Sequence, residues 1–305
     1  MQLKSVRTPG KVMLSGEYAV LYGGTAVLMP VPRYLEIKES EIPQSSGYSK
    51  VVQTALEYPI PEIAEYEKKH DLPGLSINNQ EFYCKCDDGN SVKLGLGGSA
   101  AEAVGVVSLR FQKADFLSHD DPDLIFKYAV EIHKKAQSGL GSGADVAVCA
   151  YNKPIKFRVS GNDYKIETIE TKNVLNSIPL HLVWTGRPAN TRTMIQQFQD
   201  SFDQEETENV KYLNILVDAG NELADAWFKA SRKELFALID RFDQAMDECA
   251  LMAEIQYKLP IHHQIAKWAK SHNGRAKPTG AGGGDMILLI GNLPFKGIKH
   301  PVIPL

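Results

Sequence analysis

The chain has 305 residues, 43% of them hydrophobic and 23% charged, with a formal net charge of −3. That length supports one large or two medium domains with ample core, and the slight acidity excludes a general nucleic-acid binder, whose surface would be basic. No apolar run approaches the roughly 18 residues of a membrane span, and Met1–Arg7 lacks the apolar core of a signal peptide, so a cytoplasmic protein is expected. Cys84, Cys86, Cys149 and Cys249 show no zinc-ligand spacing and are too sparse for a disulfide scaffold; Cys84 and Cys86 are expected on one face of a strand.

In chain order, residues 3–8 and 11–15 read as two short strands around Pro9-Gly10. Lys11 stands isolated among apolar residues, either as a lysine reaching out to solvent or as a functional cation. Glu17 is either a buried partner of a turn or a surface acid. Gly23-Gly24 turns into an apolar strand, Thr25–Met29. Residues 60–71 read as a charged amphipathic helix carrying Ile60, Ile63 and Tyr66. Phe82–Cys86 alternates like a strand, and Asp87-Asp88-Gly89-Asn90 is a turn signal.

The next stretch is Leu94-Gly95-Leu96-Gly97-Gly98-Ser99-Ala100-Ala101-Glu102. A glycine loop opening a helix exposes backbone N–H groups at the positive end of the helix dipole, which is an anion site with phosphate as its natural occupant. Ser99 and Glu102 also have capping-box spacing, which needs no ligand. The loop lacks the Gly-Lys-Ser/Thr ending of a Walker A motif. Val104, Val107 and Phe111 mark the buried face of its helix, which is expected to run to about Leu117. A second helix follows from Asp123 to Gln137 behind Pro122. Gly139-Leu140-Gly141-Ser142-Gly143-Ala144-Asp145 repeats the pattern, with Ser142 and Asp145 again at capping-box spacing. Asp145, on the first turn, is also placed to face a ligand phosphate or a hydroxyl proton.

Beyond Pro154, strands at 155–159 and 164–167 and the polar segment 170–177 close a first domain. The second opens with strand Leu180–Thr185, then Gly186-Arg187-Pro188-Ala189-Asn190-Thr191 and a helix from Arg192 to Phe202. Helical patterns follow at 205–229, 231–253 and 260–273, the first behind the acidic run 203–206 and the last ended by Gly274. Lys277-Pro278-Thr279-Gly280-Ala281-Gly282-Gly283-Gly284-Asp285 reads as a second backbone cradle, running into the apolar strand Met286–Ile290.

These three stretches, in this order, resemble the GHMP kinase superfamily. Pro9 to Gly24 is similar to its Pro-Gly-Lys…Gly-Glu…Gly-Gly motif, and Gly95 to Ala101 to its Gly-Leu-Gly-Ser-Ser-Ala-Ala loop, with Gly98 in place of the first serine. Thr279 to Gly284 matches the C-terminal glycine motif. Two further segments look like the phosphomevalonate branch: His133 to Gln137 followed by Gly141 to Ala147, and Trp184 to Thr191. Where mevalonate kinases carry a magnesium-binding glutamate eleven residues before the catalytic aspartate, this chain has Lys134, leaving Glu131 as a candidate second ligand.

The resemblance implies an α+β, two-domain fold. Residues 1–175 would form an ATP-binding domain like ribosomal protein S5 domain 2, a mixed sheet against helices. Residues 176–305 would form a ferredoxin-like sandwich of about four helices on an antiparallel sheet. It implies ATP and Mg²⁺, with γ-phosphoryl transfer to a small acidic acceptor, phosphomevalonate or alternatively mevalonate, in a possible homodimer. Lys11 and Asp145 would be catalytic. Gly95, Leu96, Gly97, Gly98, Ser99 and Ala100 would hold the nucleotide, with the Ser99 hydroxyl on Mg²⁺. Ser142, Arg187, Arg192, Gly282 and Gly283 would bind the acceptor. Asp145 would act as a base toward an alcohol, or orient Lys11 or Mg²⁺ toward a phosphate. A catalytically silent ligand-binding protein on the same scaffold is disfavoured by the intact glycine loop and carboxylate.

Overall fold

The computed structural model describes residues 3–41, 47–70, 74–85, 89, 91–116, 119–170, 178–203, 207–296, 298 and 300–305. Cys86, the turn residues Asp87, Asp88 and Asn90, most of the polar segment 170–177, and Gln204–Glu206 of the acidic run lie outside these. The chain clusters into two compact units that interleave in sequence: Met1–Lys11, Pro30–Val92 and Leu96–Lys153 form the first, and Val12–Met29, Lys93–Gly95 and Pro154–Leu305 the second. Two strands, β1 (Ser5–Ser15) and β2 (Thr25–Ser40), run through both.

β1 is one strand, not two split at Pro9-Gly10. Proline has no N–H to lose from a ladder, and here the Pro9 carbonyl accepts from the buried Cys149 thiol at 3.3 Å. Lys11 N–H goes to Leu96 O at 2.9 Å, so the strand stays extended while bonding to a loop.

In the first unit, α1 (Lys50–Glu57) is capped by Ser49, whose hydroxyl accepts from Val52 N at 3.2 Å. The amphipathic helix expected over 60–71 is instead a 3₁₀ turn, Pro61–Ile63, and the single turn α2 (Ala64–Glu67). Pro61 forces Ile60 to an extended backbone, φ −116° and ψ 101°, so no helix crosses it. β3 (Gly74–Asn78) pairs antiparallel with the far end of β2, Ile37 opposite Ile77. β4 (Tyr83–Lys85) and β5 (Ser91–Lys93) make a two-stranded ribbon, and Phe82 sits buried in the turn before it.

Three helices follow: α3 (Gly98–Lys113), α4 (Pro122–Ala136) and α5 (Ala144–Tyr151). Val104, Val107 and Phe111 form part of the buried face of α3, as their spacing requires. Arg110, on the same helix, is buried and holds Glu67 through Nε and Nη2 at 2.8 Å each, while Nη1 donates to the Ala55 and Tyr58 carbonyls. That fork ties α1 and α2 to α3.

In the second unit, the near end of β2 pairs antiparallel with β6 (Ile155–Ser160), which pairs antiparallel with β7 (Asp163–Thr168). β8 (Leu180–Trp184) leads to α6 (Thr191–Phe202), α7 (Thr207–Ala226), α8 (Arg232–Met252) and α9 (Pro260–Ser271). β9 (Arg275–Pro278), β10 (Met286–Ile290) and β11 (Val302–Pro304) complete an antiparallel sheet in the order β11-β8-β10-β9. All five residues of β10 are buried. Val183, Ile287 and Leu289 on this sheet pack with Ile265 and Ala269 of α9. Among the described residues, no helix is long and apolar enough to cross a membrane.

Candidate active site

In the first unit the site grows from the start of α3. The first residue of this chain segment to make a helical hydrogen bond is Ala101, whose N–H donates to Gly97 O at 3.0 Å. The N–H groups of Gly98, Ser99 and Ala100 precede it and point out of the helix end, and no side chain caps them. The capping box open to Ser99 and Glu102 does not form. Glu102 instead accepts from Ser49 at 2.6 Å, and Ser99 Oγ lies 3.0 Å from His133 Nε2 on α4. A helix of 16 residues thus presents three uncapped donors at its positive end.

Lys11 lies directly across this end. Gly97, the N-cap, has φ 78°, and a Cβ built there would meet Lys11 Cγ at 2.7 Å. Glycine is required at this position so that the lysine stem can cross the backbone. Lys11 Nζ then reaches Asp145 Oδ2 at 3.1 Å, with side chains 12% and 38% exposed. The lysine does not run to bulk solvent. Leu96 is buried, and its part here is the carbonyl that fixes Lys11 N.

Asp145 is presented by α5, whose N-cap Gly143 has φ 89°. Ser142 and Asp145 do not form a capping box either: Ser142 Oγ accepts from Ala144 N at 3.2 Å, while Asp145 is turned to Lys11. Burial pushes His133 below its ordinary range; Asp145 opposes this and Lys11 adds to it. His133 was legible only as part of a motif, and the serine at its ring is its one distinguishing contact. Glu131 does not replace it. Two residues on a helix are about 200° apart, so Glu131 lies on the other face of α4 and is exposed.

In the second unit, Gly95 has φ 68°, and a Cβ there would meet the Asp285 carboxylate carbon at 2.4 Å. Asp285 itself adopts φ 52° and ties the Gly186–Ala189 turn: its N–H donates to Arg187 O at 2.8 Å and its Oδ1 accepts from Ala189 N at 3.2 Å. Strain at a non-glycine residue beside a functional motif marks a position fixed by its surroundings. Sequence reading passed over Asp285, although an aspartate closing a run of three glycines was the available signal. Arg187 and Arg192 are exposed, and their side chains make no hydrogen bond or ion pair among the described residues.

The C-terminal glycine segment differs from the α3 loop. Gly283 N–H donates to Tyr257 O at 2.8 Å, and a Cβ on Gly282 would lie 2.3 Å from the Tyr257 ring. The Gly282 N–H has no partner among the described residues. Lys277, read as the start of this segment, belongs to β9 and is buried against Glu17, resolving Glu17 as a buried acid.

Three glycine motifs on these elements, with a lysine–aspartate pair over an uncapped helix, set the context for comparison with known proteins. The family described as GHMP kinases N terminal domain matches residues 62–153, which carry α3, α4 and α5.

A phosphomevalonate kinase of Saccharolobus solfataricus is 26% identical across 94% of this chain and 90% of that one. A phosphomevalonate kinase of a Streptomyces species is 22% identical across 96% and 91%. The solved structure of Streptococcus pneumoniae phosphomevalonate kinase in complex with phosphomevalonate and AMPPNP covers 99% of this chain at TM-score 0.77 and 16% identity, with all of that chain covered. The chain therefore has the α+β fold its motifs implied.

Proposed function

We propose that this chain is an ATP- and Mg²⁺-dependent kinase that transfers the γ-phosphoryl group to 5-phosphomevalonate. The observation that carries the reading is the Lys11–Asp145 pair laid across Gly97, beside the uncapped N–H groups of Gly98, Ser99 and Ala100. Phosphoryl transfer is chiefly positioning and neutralisation of charge, and these groups supply both.

Roles follow from the geometry. The three N–H groups hold nucleotide phosphate, and Lys11 neutralises the phosphoryl group as it passes. Among the described residues no cluster of three or more His, Cys, Asp or Glu side chains is arranged for a metal. Mg²⁺ takes one or two protein oxygens beside phosphates and waters, and the Ser99 hydroxyl and the Asp145 carboxylate would offer them. When bound, Mg²⁺ neutralises charge on the nucleotide phosphates. Arg187 and Arg192 offer unpaired guanidinium groups for an acidic acceptor, and the Ser142 hydroxyl and the Gly282 N–H offer further donors.

Asp145 gives one oxygen to an ammonium group, which suits an orienting role better than a base. A phosphate monoester has a second pKa of about 6 and is already largely dianionic at neutral pH, so no strong base is needed. The relatives' activity supports the same acceptor. A coupled ADP-release assay with MgATP, offering mevalonate and 5-phosphomevalonate side by side, tests the proposal. Preference for the phosphorylated acid is expected, and turnover of mevalonate alone would overturn it.

A further inference from the structure

Lys277 and Glu17 are the most deeply buried charged pair in the second unit, with both side chains fully inaccessible. Their bonds do not stop at each other. Lys277 Nζ also donates to Pro278 O at 2.8 Å, and the Gly280 N–H faces the Glu17 carboxylate and favours its charged form. The neighbours repeat the pattern. Thr279 donates its hydroxyl to Met13 O at 2.8 Å, and Tyr18 donates its phenol to Ala281 O at 2.8 Å. Pro278 O, Thr279 Oγ1 and Ala281 O are thus each bonded to Lys277 or to the segment Met13–Tyr18, while the Thr279 N–H bonds Met286 O within the sheet at 3.3 Å.

A buried ion pair is poor evidence for stability, since desolvating two charges consumes most of what their attraction returns. Burial pushes Glu17 upward against the opposing effects of Lys277 and the Gly280 N–H, and its Oε2 has no hydrogen-bond partner among the described residues. An apolar pair would fill this space without such penalties. What an apolar pair would not do is hold the Pro278 carbonyl and face the Gly280 N–H at the start of a glycine segment.

We infer that the Glu17–Lys277 pair is a positioning device that sets the register of Thr279–Gly284, rather than a source of folding stability. The kinetic part of this inference rests on the proposed kinase activity; the structural part does not. Without the pair, the segment loses the Lys277 bond to Pro278 O and the carboxylate facing the Gly280 N–H, and residues 279–284 sample other glycine conformations.

The test compares Glu17→Met, Lys277→Met and the double variant in the full chain, by thermal melting, amide hydrogen exchange without substrate, and steady-state kinetics. Each single variant strands a buried charge and is expected to melt well below the parent. The double variant is expected to recover most of the melting temperature, while amides of 279–285 exchange about tenfold faster or more, as the loss of the contacts at Pro278 and Gly280 implies. KM for the acceptor then rises about tenfold with kcat changed much less, because a displaced binding segment weakens ground-state and transition-state contacts alike. The inference is overturned if the double variant melts as low as the singles or does not fold, since the pair would then be stabilising. It is equally overturned if the double variant recovers melting and keeps parental exchange. Exchange needs no substrate, so absence of turnover on 5-phosphomevalonate would sink the functional proposal and leave this result standing.

Discussion

The two glycine-rich segments look alike in sequence and differ in what their backbones do. At the start of α3, three consecutive N–H groups are left uncapped and the glycine at the N-cap makes room for a lysine. At 279–284 the backbone is held by bonds involving Tyr18, Tyr257 and the Thr279 hydroxyl, and Gly282 is required because a tyrosine ring fills the place of a Cβ. Glycine density therefore marks close approach in both. The difference lies in the N–H groups: three in a row at 98–100 are uncapped, while at 279–284 the Gly283 N–H is taken by Tyr257 O.

The sharpest way to break this contrast is to remove the lysine. Lys11→Met should lower kcat by about 10³, the usual effect of deleting a group that meets transition-state charge. Thermal melting should change little, because the partner Asp145 is 38% exposed and can be hydrated. Steady-state kinetics beside a melting curve separate the two effects.

Adding a methyl group at each segment gives opposite outcomes. Gly282→Ala pushes Cβ into Tyr257 at φ 74° and should destabilise the fold by about 3 kcal/mol, read from urea unfolding. Gly97→Ala meets only the flexible Lys11 stem, so it should cost about 1 kcal/mol of stability through its φ of 78°, yet lower kcat about tenfold or more by displacing that stem.

Acid should weaken the packed region specifically. His262 is 2% exposed, its Nδ1 accepts from Leu259 N–H, and burial depresses its pKa to about 4. Below pH 6.5 the unfolded chain binds a proton that the folded chain refuses, so stability present above pH 6.5 is lost as pH falls toward 4, by about 3 kcal/mol in all. Unfolding free energies across that range should show this slope, and His262→Phe should flatten it. The smallest change is expected at Asp145→Asn, which lowers kcat about tenfold if the carboxylate orients Lys11, against about 10²–10⁴ for a general base.

Much of this arrangement was legible in the residues. Apolar spacing placed α3, α4, α8, α9 and β10, and the isolated Lys11 and the first-turn Asp145 proved to be partners. Helix capping was misjudged because serine-to-acid spacing of three does not say which way a side chain turns. Ser99 met His133 and Asp145 met Lys11, both from distant segments. Pro61 carried enough local information to forbid the helix over 60–71. The interleaving of the units, the Glu17–Lys277 pair and the left-handed Asp285 depend on contacts between segments hundreds of residues apart, which no local pattern reports.

The most direct test is the backbone amide spectrum of the protein titrated with Mg²⁺ and AMPPNP. The Gly98, Ser99 and Ala100 resonances should shift strongly while that of Gly283, already bonded to Tyr257, stays in place. Large shifts at Gly283 with none at residues 98–100 would contradict the assignment of the nucleotide phosphates to the start of α3.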